Sequence, residues 1–515
     1  MKLYVPFFLI LTILGCSGDA QNNEPPVAKK RPNILLIITD DQSWPHASAY
    51  GDQAISTPAF DRLASEGVLF NNAFAASPGC SPSRAALLTG LNCWQLKDAG
   101  THGSGFPSVF KVLPDLLEAA GYAVGFSGKG WGPGNYKVSG RTRNPAGPEF
   151  SNRKMESPEG ISTTDYAANF SGFLATRNED QPFFFWVGIH EPHRKYKKGI
   201  GVSSGMNPED ITVPGFLPDV DEVRSDLLDY GFEIQWADRH LQRILHTLEE
   251  QGELDNTLIV YTADNGMPFP RAKANVYEYG IHVPLAIRWG GEVRGGRVSD
   301  DLISLLDLFP TFLDAAQVAY PDYPIEGISL FEGLTRQSSF PRDAIYASRE
   351  RHSSSRWNNL GYPQRCIRTN RYLYIRNFAA DRWPAGNRRE LNQSGRLDLS
   401  SYAYHDIDEA ADNFLIRNQD NPEYAELFRL SVEKRPAEEL YDMVKDPACL
   451  VNLASDTAYA EEVVNLRYRL GGYLMQTSDP RVTGNGELIF EQYPRLAGPI
   501  RQFPAPDAES GSEEH

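Results

Sequence analysis

Short, uninterrupted apolar runs set the pattern of this chain: 33–39 (NILLIIT), 182–189 (PFFFWVGI) and 257–262 (TLIVYT), with a fourth, shorter one at 122–126. Runs of this length with no polar alternation are expected of parallel strands buried on both faces. Helical patterns lie between them. Residues 57–67 read as a helix stopped by Gly67, and 113–120 as one stopped by Gly121. In 222–251, Leu227, Ile234, Leu241 and Leu248 recur every seven residues with Ile244 and Leu245 beside them, a core-facing stripe. Strand and helix alternating in this way predict an α/β domain on a large, mostly parallel sheet. From about residue 346 the alternation weakens. Residues 371–376 alternate in polarity, as suits an antiparallel strand with one wet face, and 459–476 read as a packing helix.

The apolar runs end on reactive residues. Asp40-Asp41 follows the first, Asp264-Asn265 the third, His190-Glu191-Pro192-His193-Arg194 the second, and Lys129 sits in the glycine-rich loop after 122–126. Open α/β sheets bind ligands at the carboxyl ends of their strands. Adjacent carboxylates there repel unless a cation joins them, and oxygen donors favour Ca²⁺ or Mg²⁺ over zinc; the bland alternative is an exposed Asp-Asp turn. Lys129 reads either as an anion contact or as a solvated loop lysine. A lone histidine is more often structural, but two at one strand end suit anion contact or protonation of a leaving group.

The stretch 78–90, PGCSPSRAALLTG, adds a thiol to this set. Pro82 is favoured in a first helical turn, so a helix is expected from there to about Thr89. Cys80 and Ser81 then lie at its N-terminus, where free N–H groups favour an anion, and Arg84 one turn in adds a charge-assisted hydrogen bond. A buried cysteine beside a capped helix is the plainer alternative.

Composition narrows the class. The 515 residues suffice for a large core and a second domain, and the formal charge of −17 excludes the basic face of a nucleic-acid binder. Any anion site must therefore be locally basic. The five cysteines are too few for a disulfide scaffold. Lys2, the apolar segment 3–14 and Gly15-Cys16 read as a signal peptide, and Ile13-Leu14-Gly15-Cys16 resembles a bacterial lipobox, which implies lipidation at Cys16. An ordinary secretory signal with an incidental cysteine is the alternative. Residues 17–30 read as a flexible tether. The expected organisation is therefore signal peptide 1–16, tether 17–30, catalytic domain 31–345, C-terminal subdomain 346–480 and extended tail 481–515, in a lipid-anchored protein of the bacterial cell envelope, periplasmic or on the outer-membrane surface.

Cys80-x-Pro82-x-Arg84 followed by Leu88-Thr89-Gly90 resembles the signature of the type I sulfatases, and the other motifs arrive in that family's order over residues 31–475. The strings His190-Glu191-Pro192-His193-Arg194 and Tyr362-Pro363-x-Arg365 resemble the heparan N-sulfatase (sulfamidase) branch in particular. The resemblance implies the alkaline-phosphatase-like fold: a large mixed, mostly parallel sheet flanked by helices, with a smaller C-terminal α+β domain on an antiparallel sheet. It implies that Cys80 is oxidised to formylglycine by a sulfatase-maturating enzyme and that its hydrate is the nucleophile. Ca²⁺ is then held by Asp40, Asp41, residue 80, Asp264 and Asn265. Arg84, Lys129, Lys273 and His190 complete the catalytic set, and His193, Arg349, His352 and Arg365 contact the sugar. The chain departs from the family at Trp131, where the Lys-x-His histidine is expected; His102 is a possible substitute. The implied substrate is N-sulfated glucosamine of heparan type, with O-sulfate on an algal polysaccharide such as ulvan or carrageenan as the alternative. Two further classes stay open: a phosphoester or phosphonate hydrolase on the same fold, and a non-catalytic glycan-binding lipoprotein.

Overall fold

The first apolar run becomes β1 (Asn33–Thr39), the central strand of a seven-stranded sheet. A computed structural model describes residues 1–6, 30–340 and 342–506; most of the apolar N-terminal segment, Cys16, nearly all of 17–30, and 507–515 lie outside the described residues. Residues 1–6 are exposed and form neither helix nor strand. Among the described residues, no helix is long and apolar enough to cross a membrane.

The other strands of the large sheet are β2 (Val68–Phe74), β3 (Ala123–Gly128), β4 (Phe183–Gly188), β5 (Thr257–Ala263), β6 (His282–Arg288) and β7 (Arg297–Ser304), in the order β3-β4-β1-β5-β6-β2-β7. Only β6 runs against its neighbours, so the sheet is mixed but mostly parallel, as the continuous apolar runs require. Alternate residues of β1 enter opposite cores. Ile34, Leu36 and Ile38 pack with residues of the helices Cys80–Thr89, Leu113–Ala119 and Leu308–Ala316; Leu35 and Ile37 pack with those of Pro58–Glu66, Tyr166–Leu174 and Asp221–Glu250. Burial on both faces explains why these strands show no polar alternation.

The C-terminal sheet is antiparallel, formed by β8 (Ile345–Arg349), β9 (Gln364–Arg368), β10 (Tyr372–Asn377) and β11 (Glu438–Asp442) in the order β11-β10-β9-β8. The expected wet face is not there. Leu373 and Ile375 pack toward Phe74 and Tyr277 of the large domain, while Tyr374 and Leu440 pack beneath the helix Ala460–Gln476. Only Arg376 of β10 is exposed. The first part of the expected extended tail, 481–492, instead takes part in the short helices Pro480–Thr483 and Gly486–Gln492, with Phe490 buried.

The long helix also carries an acid inside the protein. Glu233 is 2% exposed, and burial, then the neighbouring Glu191, push its pKa from 4.5 up to about 9. The folded chain keeps a proton that the unfolded chain releases near 4.5, so stability falls as pH rises through the window from 4.5 to 9. Glu233→Gln should flatten that decline. Its advantage over the wild type is expected to grow by about 1 kcal/mol per pH unit between pH 5 and 8, and parallel slopes in denaturant unfolding across that range would contradict the assignment.

Candidate active site

β1 and β5 are parallel neighbours in register, with Thr39 beside Ala263, so the residues that follow them meet. Asp41 turns back with φ 72°, a left-handed conformation that Asp tolerates better than most residues, and its N–H donates to Asp264 Oδ1 at 3.1 Å. Asn265 Nδ2 donates to Asp41 Oδ1 at 2.8 Å. Cys80 itself is the first residue of the helix Cys80–Thr89, two positions earlier than Pro82 suggested, with extended Gly79 preceding it. Its Sγ lies 4.0 Å from Asp41 Oδ1, and ligand atoms of Asp40, Asp41 and Cys80 fall within 4.8 Å of one another.

Three cations interleave with the carboxylates. Arg84 Nε donates to Asp264 Oδ2 at 2.7 Å and its Nη1 to the Lys129 carbonyl at 2.8 Å. Lys129 Nζ reaches Asp40 Oδ2 at 2.5 Å, and Lys273 Nζ reaches Asp41 Oδ2 at 2.5 Å and Asp408 Oδ2 at 2.8 Å. Burial opposes charge throughout the cluster, and pairing outweighs it at Asp40, Lys129 and Lys273. Asp40 is held well below the carboxylate range against that burial, by Lys129 first, then His193 and Arg84. Against burial, Asp40 raises Lys129, and Asp408 and Asp41 raise Lys273, so both lysines stay charged. Asp264 rises to about 6, because burial and the nearby Asp40 outweigh Arg84.

The donor set fits a hard divalent cation. Asp40 Oδ1 and Asn265 Oδ1 are buried acceptors with no hydrogen-bond partner among the described residues. A cation bound by oxygen would satisfy both. Arg84 Nη2 is likewise buried without a partner, 4.0 Å from Asp40 Oδ1, and suits an anion in the same place.

The histidines divide by position. His190 is solvent-exposed, yet desolvation by the surrounding protein and the cations Lys129 and Arg84 outweigh Asp40 and hold its pKa down to about 4. His193 stands closer to the carboxylates, its Nε2 3.8 Å from Asp41 Oδ2 and within one group with Asp408. Trp131 fills the place of the expected histidine as a brace: its indole N–H donates to the Ser81 carbonyl at 3.0 Å, beside Cys80. The rings of His102 and His352 pack at a tilt with centroids 4.4 Å apart, and both line a small chamber that includes Gly79. The N–H of Gly103, next in chain to His102, donates to Ser81 Oγ at 3.2 Å.

Two expected sugar contacts are turned inward. Arg365 is wholly buried, its Nε on Asp479 at 2.5 Å and its Nη2 on Glu350 at 2.7 Å, so it is a structural ion pair. Arg349, 3% exposed, is held by Asp406 and the Pro384 carbonyl. Asp408, which sequence reasoning missed, reaches the site from the C-terminal region through Lys273. It belongs to the acidic stretch 404–412, which follows no apolar run and carries no motif. Beside it opens a cavity of about 360 Å³ lined in part by Arg194, Asp226, Phe269 and Phe414.

The sequence pattern named Sulfatase matches residues 32–318, and that named N-sulphoglucosamine sulphohydrolase, C-terminal, matches 271–390. The chain is 30% identical over 510 residues to human N-sulphoglucosamine sulphohydrolase, covering 92% of this chain and 96% of that one. It belongs to the sulfatase family. This sulfatase is thus a hydrolase of sulfate esters or sulfamates, and its resemblance to the sulfamidase branch holds through the C-terminal domain as well. It is also 26% identical over 509 residues to an ulvan-active sulfatase of Formosa agariphila, covering 89% of this chain and 77% of the relative. Its fold is shared with a protein solved in complex with its substrate D-glucosamine-2-N,6-O-disulfate, at TM-score 0.63 and 21% identity over 87% of this chain and 99% of the other.

Proposed function

We propose that this sulfatase acts through formylglycine at position 80 and a calcium ion, and that it removes sulfate from N-sulfated glucosamine of heparan type. The observation that carries the reading is the placement of Cys80, at a helix N-terminus inside the oxygen ligand set. Burial pushes its thiol far above the normal cysteine pKa, so the unmodified side chain is a poor nucleophile. Oxidation by a maturating enzyme would replace it with an aldehyde whose hydrate supplies the attacking oxygen. Asp40, Asp41, Asp264, Asn265 and residue 80 would hold Ca²⁺, whose charge polarises that oxygen and the sulfate.

The remaining roles belong to side chains already in place. Arg84 Nη2 and the spare N–H donors of Lys129 and Lys273 face developing charge on the sulfate oxygens. His190 is neutral in the free protein. An anionic sulfate group entering beside it raises its pKa and lets it protonate the leaving nitrogen or oxygen. With Trp131 bracing Ser81, His102 is the base assigned to sulfate expulsion on its place in the chamber beside Gly79, although burial disfavours its protonated form. His193 and Asp408, grouped with Asp41 and the latter lining the cavity, are assigned to the sugar. We extend the proposal to export and lipid anchoring at Cys16 in a bacterial envelope.

The heparan reading is supported by the likeness to N-sulphoglucosamine sulphohydrolase across both domains. The likeness to an ulvan-active sulfatase supports an algal O-sulfate as the second reading. Sulfate release by the matured protein decides between them. An N-sulfoglucosamine-terminated heparan oligosaccharide should yield sulfate and an ulvan oligosaccharide should not; the reverse would keep the chemistry and replace the substrate.

A further inference from the structure

We propose that the C-terminal domain contains a buried anion site, formed by Arg349, Arg356 and Arg435 around Tyr362, whose ligand is a small inorganic anion of the chloride class. The guanidinium carbons of these arginines lie 5.4, 5.6 and 5.9 Å from the Tyr362 ring centroid. All are withdrawn from solvent: Arg349 and Arg356 are 3% exposed, Arg435 7% and Tyr362 0%. Asp406 is the one carboxylate, among the described residues, that hydrogen-bonds any of them. It accepts from Nη2 of both Arg349 and Arg356, and the Pro384 carbonyl accepts from the same two groups.

The remaining donors are unmet. Arg349 Nε and Nη1, Arg356 Nη1, and Arg435 Nε, Nη1 and Nη2 are buried without a hydrogen-bond partner among the described residues, as is Tyr362 Oη. Among the described residues, the Arg435 guanidinium stands over the rings of Tyr277, at 4.7 Å, and Tyr362. The nearby Glu439 cannot serve it readily, because Oε2 already accepts from Tyr277 and Tyr441 and Oε1 from Asn377. Among the described residues, three buried positive charges thus have one carboxylate hydrogen-bonded to them, the nearby Glu439 being engaged elsewhere. Buried charges are stable only when paired, and orphaned buried donors are rare. Burial and these neighbouring arginines outweigh Asp406 and depress Arg349 to about 9, consistent with missing negative charge. A single-atom anion can accept from several N–H groups and the phenol at once. The full burial of the cluster disfavours a sulfate carried on a polymer.

The site is tied to the catalytic side through one short segment: Asp406 holds the arginines and Asp408 holds Lys273. Thermal unfolding of the full chain tests the proposal, in gluconate buffer at constant ionic strength with chloride, bromide or sulfate substituted in. Chloride and bromide should raise Tm with saturation, as mass action requires, and Arg435→Met should abolish the dependence. Bromide-grown crystals should show an anomalous peak against Arg435, which decides the matter if the variant fails to fold. Stabilisation by sulfate alone would overturn the chloride class. A flat response to all three, or a higher Tm for Arg435→Met in every buffer, would overturn the site itself.

Discussion

Cys80→Ala should lower sulfate release by about 10⁴-fold or more while leaving the fold intact. Residue 80 is 1% exposed, and its Sγ lies 4.0 Å from Asp41 Oδ1. Losing one small buried group costs far less than losing the nucleophile. The cations that bind sulfate come from other residues, so Arg84, Lys129 and Lys273 remain to hold substrate. The variant is therefore expected to bind with near-normal affinity and turn over almost nothing, a loss in kcat with KM little changed. Steady-state sulfate release, beside calorimetric binding of the same oligosaccharide, reads both quantities. Mass analysis of the peptide carrying residue 80 ties the wild-type rate to the fraction converted to formylglycine. Equal activity in the converted and unconverted fractions would remove formylglycine from the mechanism, and activity retained in Cys80→Ala would remove residue 80 altogether.

The parts of this site legible in the sequence are those fixed locally. A strand buried on both faces must be apolar throughout, so β1 and β5 announce themselves, and the residues after them are delivered to the sheet edge by register alone. Asp40, Asp41, Asp264 and Asn265 followed from that geometry, and Cys80 with Arg84 from a helix start. The C-terminal contribution depends on how one domain is laid against the other. A guanidinium after a Tyr-Pro pair reads the same whether it faces a sugar or a carboxylate, and Arg365's partner Asp479 lies 114 positions away. Asp408 had no local signature, yet tertiary folding carries it 135 positions back to Lys273. The wet face expected of β10 failed for a similar reason: its polar-looking positions include Tyr374, which packs under the helix Ala460–Gln476 while its hydroxyl finds Glu438. Tyrosine buries its ring and satisfies its tip, so alternation alone misreads it.

Arg365→Met carries the largest expected loss of stability, and it tests the reassignment of this residue from sugar contact to internal ion pair. Both arms of the guanidinium are spent, on Asp479 and Glu350, and its flat faces lie near Trp94, Phe378 and Phe490. Removing the charge leaves Asp479, wholly buried, without its main counter-ion. Breaking a buried pair by deleting one partner costs about 3–5 kcal/mol, which in a protein of this size appears as a fall of several degrees in Tm. Glu350 is cushioned by Arg481, whose Nη2 lies 2.6 Å from its Oε2, so the damage concentrates on Asp479. That carboxylate also caps the helix Pro480–Thr483 through the Arg481 N–H, and the helix should fray with it. Arg365→Met combined with Asp479→Leu should therefore lose less than the sum of the two single variants, with a coupling of about 1–3 kcal/mol. At temperatures where the variant is folded, KM for the oligosaccharide should match the wild type, because the side chain is walled off from the substrate. A raised KM with unchanged Tm would return Arg365 to the sugar, and only an opening of the Glu350–Asp479 interior could then bring it there.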